Sequence, residues 1–258
     1  MKTVRYLALT TAFIGLSFTG MQTSFGGSDG HGQAVHWGYD GECGADHWGD
    51  LKSEYAVCKI GVRQSPVSIT LTEKSDLTGI QFHYYATPLK IINNGHTIQV
   101  NYGSGSSVTI GNKKYNLLQF HFHNPSEHKI NGVSYPMEAH FVHRGEDGKL
   151  AVVGVFMKEG KGNAFIDTLW DNLPKEECKE NAVTTLKINA KELLPSNATY
   201  YNYAGSLTTP PCSEIVNWFV LKTPIEVSKA QLDKFASIFK KSARPVQPLS
   251  GRVVKESR

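Results

Sequence analysis

The stretch QFHFHNPSEH, residues 119–128, concentrates side chains that can bind a metal ion. It holds three histidines and a glutamate within ten residues. Alternate side chains of a β-strand project from the same face, so Gln119, His121 and His123 share one face if this stretch is a strand. Two imidazoles on one face raise the question of a third ligand elsewhere in the chain.

A third imidazole occurs in a second strand-like run, MEAHFVH, residues 137–143. The two-residue alternation of this run places Glu138 and His140 on one face. If the two runs are neighbouring strands, they project the imidazoles of His121, His123 and His140 into one space. The two runs together are stronger evidence for a metal site than a single His-x-His pair.

Three neutral imidazoles predict a bound Zn²⁺ with one open coordination position, which is the arrangement of a catalytic rather than a structural zinc site. Each metal-bound imidazole also needs an acceptor for its second ring N–H. Gln119 and Glu138 each stand two residues before a candidate ligand, on the same strand face. We therefore predict that these two side chains orient the imidazoles.

The cupins, which bind iron, manganese or nickel, offer a rival interpretation. The run HFHNPSE satisfies their His-x-His-x3-Glu pattern and would make Glu127 a metal ligand. That pattern also requires a glycine six positions before the first histidine, where this chain has Tyr115. It further requires Pro-x-Gly-x2-His, whereas the chain reads PMEAH at 136–140. A motif needs its context, and here the context disfavours a cupin.

The elements that must position these residues are mostly strands. Runs rich in β-branched and aromatic residues extend over 64–160 and are separated by glycine-containing turns. Residues 89–102 predict a hairpin around Asn94-Gly95, residues 108–123 another around Gly111-Asn112, and 135–144 and 149–158 two further strands. Helices are predicted at 163–173 and at 228–239, where Ser228 is the candidate N-cap.

The first 26 residues have the layout of a secretory signal peptide. A basic start precedes the apolar run YLALTTAFIGLSF, and small residues allow cleavage after Gly26. The apolar run is shorter than the roughly 20 residues that span a membrane. We therefore expect a signal peptide at 1–26, one domain at 27–258, export to the periplasm or medium, and no membrane span after processing.

Net charge and cysteine content bear on two further questions, whether the protein binds nucleic acid and whether its cysteines bind zinc. Without residues 1–26 the formal charge falls from +4 to +2, which gives no argument for nucleic acid as a partner. The four cysteines, an even number with no CxxC pair, favour disulfides over a zinc–thiolate site in an exported chain.

At GSLTTPPCSE, residues 205–214, the sequence becomes specific enough to resemble a known family, the α-class carbonic anhydrases, and exported bacterial members above all. The matching pieces follow the family's order over nearly the whole chain after residue 35. They are HWGY (36–39), HW (47–48), RQSPVSI (63–69), NNGH (93–96), QFHFH (119–123), SEH (126–128), EAHFVH (138–143), LAVVGVF (150–156), SLTTPP (206–211), NWFVL (217–221) and RPVQPL (244–249).

The resemblance implies a fold and a reaction. The implied fold is mostly β, of the α+β type, with a central twisted, mainly antiparallel sheet of about ten strands and short peripheral helices. Cis peptide bonds are implied at Ser65-Pro66 and Pro210-Pro211. The implied reaction is the reversible hydration of CO₂ to bicarbonate and a proton by zinc-bound hydroxide.

The resemblance also implies roles for individual residues. Thr208 matches a gatekeeper hydroxyl whose proton Glu127 accepts, and His96 matches a proton shuttle, for which an ordinary pKa of about 6.5 is suited. The Thr209 N–H matches a contact to substrate oxygen. The apolar pocket for uncharged CO₂ is matched by Val142, Val152, Leu207, Val216 and Trp218. His128 is expected to be a structural hydrogen-bonding residue.

Several expectations remain open at this point. Cys58 and Cys212 match the disulfide of secreted family members, whereas Cys43 and Cys178 have no family counterpart and can pair within the chain or between two chains of a homodimer. Asn124 and Gln99 depart from the residues usual in animal members near the site. The alternative to an enzyme is a non-catalytic, zinc-binding relative; inactive relatives typically lack a ligand histidine, and all three are present here.

Overall fold

The structure is a computed structural model and describes residues 36–258. The predicted signal peptide, residues 1–26, lies outside the described residues. Within 36–258, no helix is long and apolar enough to cross a membrane.

The described chain forms fifteen strands and a few short helices. The strands are β1 Ser68–Ile69, β2 Thr72–Ser75, β3 Ile80–His83, β4 Thr87–Asn93, β5 Ile98–Asn101, β6 Ser107–Ile110, β7 Lys113–His123, β8 Lys129–Ile130, β9 Val133–Ser134, β10 Met137–Gly145, β11 Leu150–Glu159, β12 Glu180–Ile188, β13 Tyr200–Gly205, β14 Val216–Val227 and β15 Val254–Ser257. The α-helices are α1 Trp48–Leu51, α2 Val57–Ile60, α3 Ala164–Asp171 and α4 Lys229–Ile238, and single 3₁₀ turns cover Gly41–Cys43, Ser53–Tyr55 and Ala190–Leu193.

Twelve of the described strands form one large sheet. Ten follow the order β12-β4-β5-β7-β10-β11-β14-β13-β15-β2, and β6, with β3 beside it, pairs with the first part of β7. All pairs are antiparallel except β11 with β14 and β15 with β2. Strands β1, β8 and β9 form a separate small sheet. The predicted mostly-β fold with a mainly antiparallel central sheet is confirmed.

The two faces of the sheet bury different clusters, as the alternation along β11 shows. Ala151, Val153 and Val155 point into the large core cluster, which α3 and α4 cover. Val152 and Phe156 point to the opposite face, into a smaller apolar cluster. His121 and His123 of β7 and His140 of β10 alternate with Phe120, Phe122 and Phe141 of the large core, so these three histidines too lie on the face opposite the helices.

The predicted hairpins and helices are confirmed, with turn chemistry that explains them. Strands β4 and β5 flank Asn94-Gly95, where Gly95 has a φ of 83°. Ser228 caps α4 through a capping box with Gln231. The Gln231 side-chain oxygen also accepts from the Asn163 N–H at the start of α3, which ties the two helices together.

Two short helices that the sequence patterns did not predict, α1 and α2, form in the N-terminal part of the domain. Trp48 of α1 is fully buried, and its indole N–H donates to the Gly38 carbonyl. Cys58 of α2 is bonded to Cys212, so tertiary contacts fix these short helices. The two expected cis peptide bonds are present, together with a third at Asn124-Pro125.

Candidate metal centre

Strands β7 and β10 bring the three predicted imidazoles together. The strands are antiparallel neighbours in which His121 lies opposite His140 and His123 lies opposite Glu138. The ring centroids of His121, His123 and His140 are 4.5 to 5.5 Å apart. One ring nitrogen from each lies within 4.8 Å of the others, which is the spacing of ligands around one metal ion.

The contacts of the ring nitrogens show which nitrogen each imidazole presents: hydrogen bonds for His121 and His123, and a close carboxylate for His140. His121 Nδ1 donates to Gln119 Oε1 at 2.8 Å, and His123 Nδ1 donates to the backbone carbonyl of Ser242, so both rings present Nε2. His140 is turned the other way, with Nε2 3.0 Å from Glu138 Oε1, and presents Nδ1. Acceptors on the far nitrogens are the usual support of metal-bound imidazoles.

Two of the three imidazoles, those of His121 and His123, are in the state that a divalent metal such as Zn²⁺ requires. Burial alone would lower the pKa of His140, but Glu138, and then Glu127, raise it above its ordinary value. His123 Nε2 is buried and has no hydrogen-bond partner. Buried polar atoms rarely lack a partner, so this nitrogen is placed to bind a ligand such as a metal ion. Burial, and then the neighbouring His123 and His140, hold the pKa of His121 well below its ordinary value. Burial likewise lowers the pKa of His123. A neutral imidazole is the form that coordinates metal.

The carboxylate of Glu138 lies between two histidines, His128 and His140. Its Oε1 accepts from His128 Nδ1 at 2.8 Å and its Oε2 from the His128 backbone N–H at 2.9 Å, while the same Oε1 faces His140. Burial alone would raise the pKa of Glu138, but His128 and His140 hold it well below its ordinary value. His128 Nε2 in turn lies 2.7 Å from the Tyr203 hydroxyl. His128 thus bears the structural hydrogen bonds expected of it.

Glu127 and Thr208 are both buried at the site, but the expected hydrogen bond between them is not formed among the described residues. Glu127 Oε1 accepts the Arg244 backbone N–H at 2.9 Å. Its Oε2 instead faces the imidazoles, 3.4 Å from His123 Nε2 and 3.7 Å from His140 Nδ1. Oε2 has no hydrogen-bond partner, so its capacity to accept a proton donor is unused.

The predicted apolar pocket residues lie in one cluster beside the imidazoles. Val142, Val152 and Trp218 face one another across β10, β11 and β14. Val152, Val216 and Trp218 are buried, and Val142 and Leu207 pack against them. The ring of Trp218 lies 4.8 Å from that of His140, so this apolar wall adjoins the metal centre.

A cavity of about 120 Å³ opens from the imidazoles to the surface. Its lining includes His121, His123, Thr209, Gln99 and, at the rim, His96. The His96 ring stacks on Trp37, with centroids 3.6 Å apart and planes at 9°. Burial, and then nearby His36, lower the pKa of His96. His96 therefore lies between the metal centre and solvent.

Two supporting residues escaped sequence reasoning. The Ser242 carbonyl, the acceptor for His123, is a backbone atom and leaves no side-chain signature. Arg244 is buried, holds Glu127 through its own N–H, and donates through its guanidinium to Gln64, to Ser65 and to the Cys58 carbonyl. The quoted RPVQPL motif contains Arg244, and that motif was the one signal that could have found it.

A twisted sheet that gathers three buried imidazoles beside an apolar wall has the architecture of a metalloprotein. Comparison with known proteins makes this specific. The profile of the eukaryotic-type carbonic anhydrase family matches residues 43–258. The chain belongs to this family, the α-class carbonic anhydrases.

Individual relatives agree with the family profile. A carbonic anhydrase of Nostoc sp. is 41% identical over 100% of both chains. The α-carbonic anhydrase of Thermovibrio ammonificans, solved with the inhibitor sulfanilamide, is 46% identical with a TM-score of 0.82, and the match covers 86% of this chain and 100% of that one. A hyperthermostable carbonic anhydrase from a hydrothermal vent chimney is 51% identical with a TM-score of 0.84 over the same shares.

Proposed function

We propose that this protein catalyses the reversible hydration of CO₂ to bicarbonate and a proton. The observation that carries the proposal is the set of three buried imidazoles, each presenting one nitrogen to a common point, next to an apolar wall. Neutral ligands leave the full charge of a divalent ion available to acidify water. A hydration reaction at neutral pH requires water that is acidified in this way.

The ligand set assigns zinc to His121 and His123 through Nε2 and to His140 through Nδ1. When bound, zinc supplies a nucleophile by lowering the pKa of its water to about 7, a value established for carbonic anhydrases as a class. Gln119, the Ser242 carbonyl and Glu138 keep the rings in place, because each faces the ring nitrogen turned away from the metal point.

The apolar wall receives the substrate. CO₂ carries no charge, so Val142, Val152, Leu207, Val216 and Trp218 can hold it by excluding water rather than by ion pairing. We assign the backbone N–H of Thr209, which lines the cavity, to a substrate oxygen.

Thr208 and Glu127 orient the reacting oxygen. Glu127 Oε2 is buried and lacks a partner, so its capacity to accept the Thr208 hydroxyl proton is free. A threonine oxygen whose proton is committed to Glu127 presents lone pairs to its other neighbours, and it therefore accepts a hydrogen bond from the nucleophile. This fixes the direction of attack, which is a positioning effect.

His96 carries the released proton to solvent. It stands at the rim of the cavity, half-buried and stacked on Trp37, with its ring within reach of both the cavity and bulk water. An imidazole exchanges protons near neutral pH, which matches this task.

We propose that the protein is exported from the cytoplasm before it acts. The basic and apolar start of residues 1–26 supports a signal peptide, and the Cys58–Cys212 disulfide fits an oxidising compartment such as the periplasm. Residues 27–258 would then be the mature catalytic domain. Mass spectrometry of the exported protein tests this, because cleavage after Gly26 gives a new N-terminus at Gly27.

One sample tests the function by three readings: zinc content, CO₂ hydration, and inhibition by a sulfonamide. We expect one zinc per chain, rapid hydration, and loss of hydration when sulfanilamide is added. One zinc per chain without hydration would contradict the enzyme and favour the alternative, a non-catalytic zinc-binding member of the family.

A further inference from the structure

Gly154 of β11 occupies the strand position beside the metal centre. It lies opposite His140 of β10 on one side and Val220 of β14 on the other. Its neighbours on the same face, Val152 and Phe156, both carry large apolar side chains. The absence of a side chain at 154 is therefore a local exception on this face of β11.

The missing side chain leaves room for the carboxylate of Glu138. A Cβ at 154 would lie 2.8 Å from Glu138 Oε1, closer than real Cβ atoms approach an oxygen, whereas its next contact, Val220 Cγ2, is an ordinary 3.7 Å away. The carboxylate oxygen of Glu138 is thus the one neighbouring atom that this Cβ would approach more closely than an ordinary van der Waals contact.

Glu138 has little freedom to move aside. Its carboxylate is fully buried, and two of its contacts are the ring and backbone nitrogens of His128, at 2.8 and 2.9 Å. The oxygen that a Cβ would displace is also the one 3.0 Å from His140 Nε2. A side chain at 154 would therefore push Glu138 away from a metal-ligating imidazole.

We propose that Gly154 is a positioning residue for the metal centre, where the lack of a Cβ allows Glu138 to reach His140 Nε2. The inference rests on the proposed zinc site and adds a residue to it. Loss of a carboxylate behind a metal-bound histidine typically weakens metal affinity about 10- to 100-fold. We expect Gly154→Ala to weaken zinc binding by about 10-fold or more for this reason.

The test measures the zinc dissociation constant by chelator competition on the purified chain. Gly154→Ala is compared with two controls: Gly79→Ala, where a Cβ meets nothing within 4 Å, and Val153→Ala, which removes buried volume from the opposite face of β11. We expect both controls to bind zinc like the parent, although Val153→Ala lowers stability. Unchanged zinc affinity in Gly154→Ala would overturn the inference.

A double variant shows whether the effect passes through Glu138. Glu138→Asp keeps the negative charge but withdraws the carboxylate by one methylene, so adding Gly154→Ala to it should cost little further affinity. An equal loss in both backgrounds would overturn the inference. If Gly154→Ala alone does not fold, folding of the double variant supports the clash with Glu138, and failure of the double variant contradicts it.

The parent chain separates this inference from the proposed function. A parent that takes up no zinc contradicts both. A parent that binds zinc no more tightly than Gly154→Ala contradicts the role of Gly154 and leaves the proposed function standing.

Discussion

The surroundings of His96 support the proton-shuttle role that we propose for it. The stack on Trp37 keeps the ring at the cavity rim, and the Asn94 side chain accepts the His96 backbone N–H, which fixes the turn that carries it. Burial, and then His36, lower the pKa of His96 below its ordinary value. A lower pKa makes the protonated ring a better donor to buffer.

We predict that His96→Ala slows CO₂ hydration in dilute buffer, because proton export then lacks its carrier. Added imidazole should restore part of the lost turnover by carrying the proton itself. The measurement is stopped-flow hydration over a range of buffer concentrations. His83→Ala, at an exposed position on β3, is the matched control and should behave like the parent. Full turnover of His96→Ala in dilute buffer would exclude the shuttle.

His143 is a buried histidine that the proposed reaction does not use. It lies on β10, its Nε2 is 2.7 Å from the Tyr84 hydroxyl, and its Nδ1 donates to the Ala151 carbonyl at 3.1 Å. Burial lowers its pKa from 6.5 to about 4. The folded protein therefore keeps this ring neutral at pH values where the unfolded chain protonates it.

Stability should fall with pH across the interval between these two pKa values. The unfolded chain binds a proton below about 6.5 and the folded chain only below about 4, so acidification favours the unfolded state between them. A shift of this size corresponds to roughly 3 kcal/mol. We predict that His143→Gln loses less stability than the parent between about pH 7.5 and about pH 4.5 in urea unfolding. Equal losses in both proteins would contradict this.

At the scale of elements, the loop that carries Thr208 is held at both ends. The Leu207 N–H donates to the Ser213 carbonyl, and the Cys212 N–H donates to the Thr209 carbonyl. The disulfide joins Cys212 to Cys58 of α2 across 154 residues of sequence. The loop is thereby fastened to the N-terminal part of the domain.

We predict that replacing Cys58 and Cys212 together by serine destabilises the protein by about 2–5 kcal/mol, because the bond closes a long loop in the unfolded chain. Unfolding in denaturant, with and without reductant, measures the effect. Replacing the exposed free thiols of Cys43 and Cys178 serves as the control and should leave stability unchanged. A double serine variant as stable as the parent would exclude this role of the disulfide.

The helices and strands also show which features of the fold and the site can be predicted from the sequence. Alternation along β7 and β10 and the turn at Asn94-Gly95 are local signals, so the strands and the convergence of His121 with His140 could be predicted. The helix α1 could not, because its tryptophan is fixed by distant contacts. Nor could the orientation of Glu127, whose Oε2 turns to the imidazoles while Arg244 holds Oε1, since packing around a buried carboxylate sets it.

At the scale of the whole molecule, the site exists only when distant parts of the chain have come together. Its residues run from His96 to Arg244, and many of them lie on four neighbouring strands of the large sheet, β7, β10, β11 and β14. Arg244 connects three of these parts. Its buried guanidinium donates to the α2 segment and to the Gln64-Ser65 segment, and its backbone N–H donates to Glu127. Such a site binds metal in the folded state and not in the unfolded chain, so zinc should stabilise the fold by mass action.

The most direct test of the account is a zinc titration of the metal-free protein, followed by CO₂ hydration at each step. We predict that hydration rises in proportion to added zinc and reaches its plateau at one equivalent per chain. We also predict that His140→Ala shows neither the plateau nor tight zinc binding. Saturation of the site by one equivalent of zinc with no hydration above the uncatalysed rate would contradict the account.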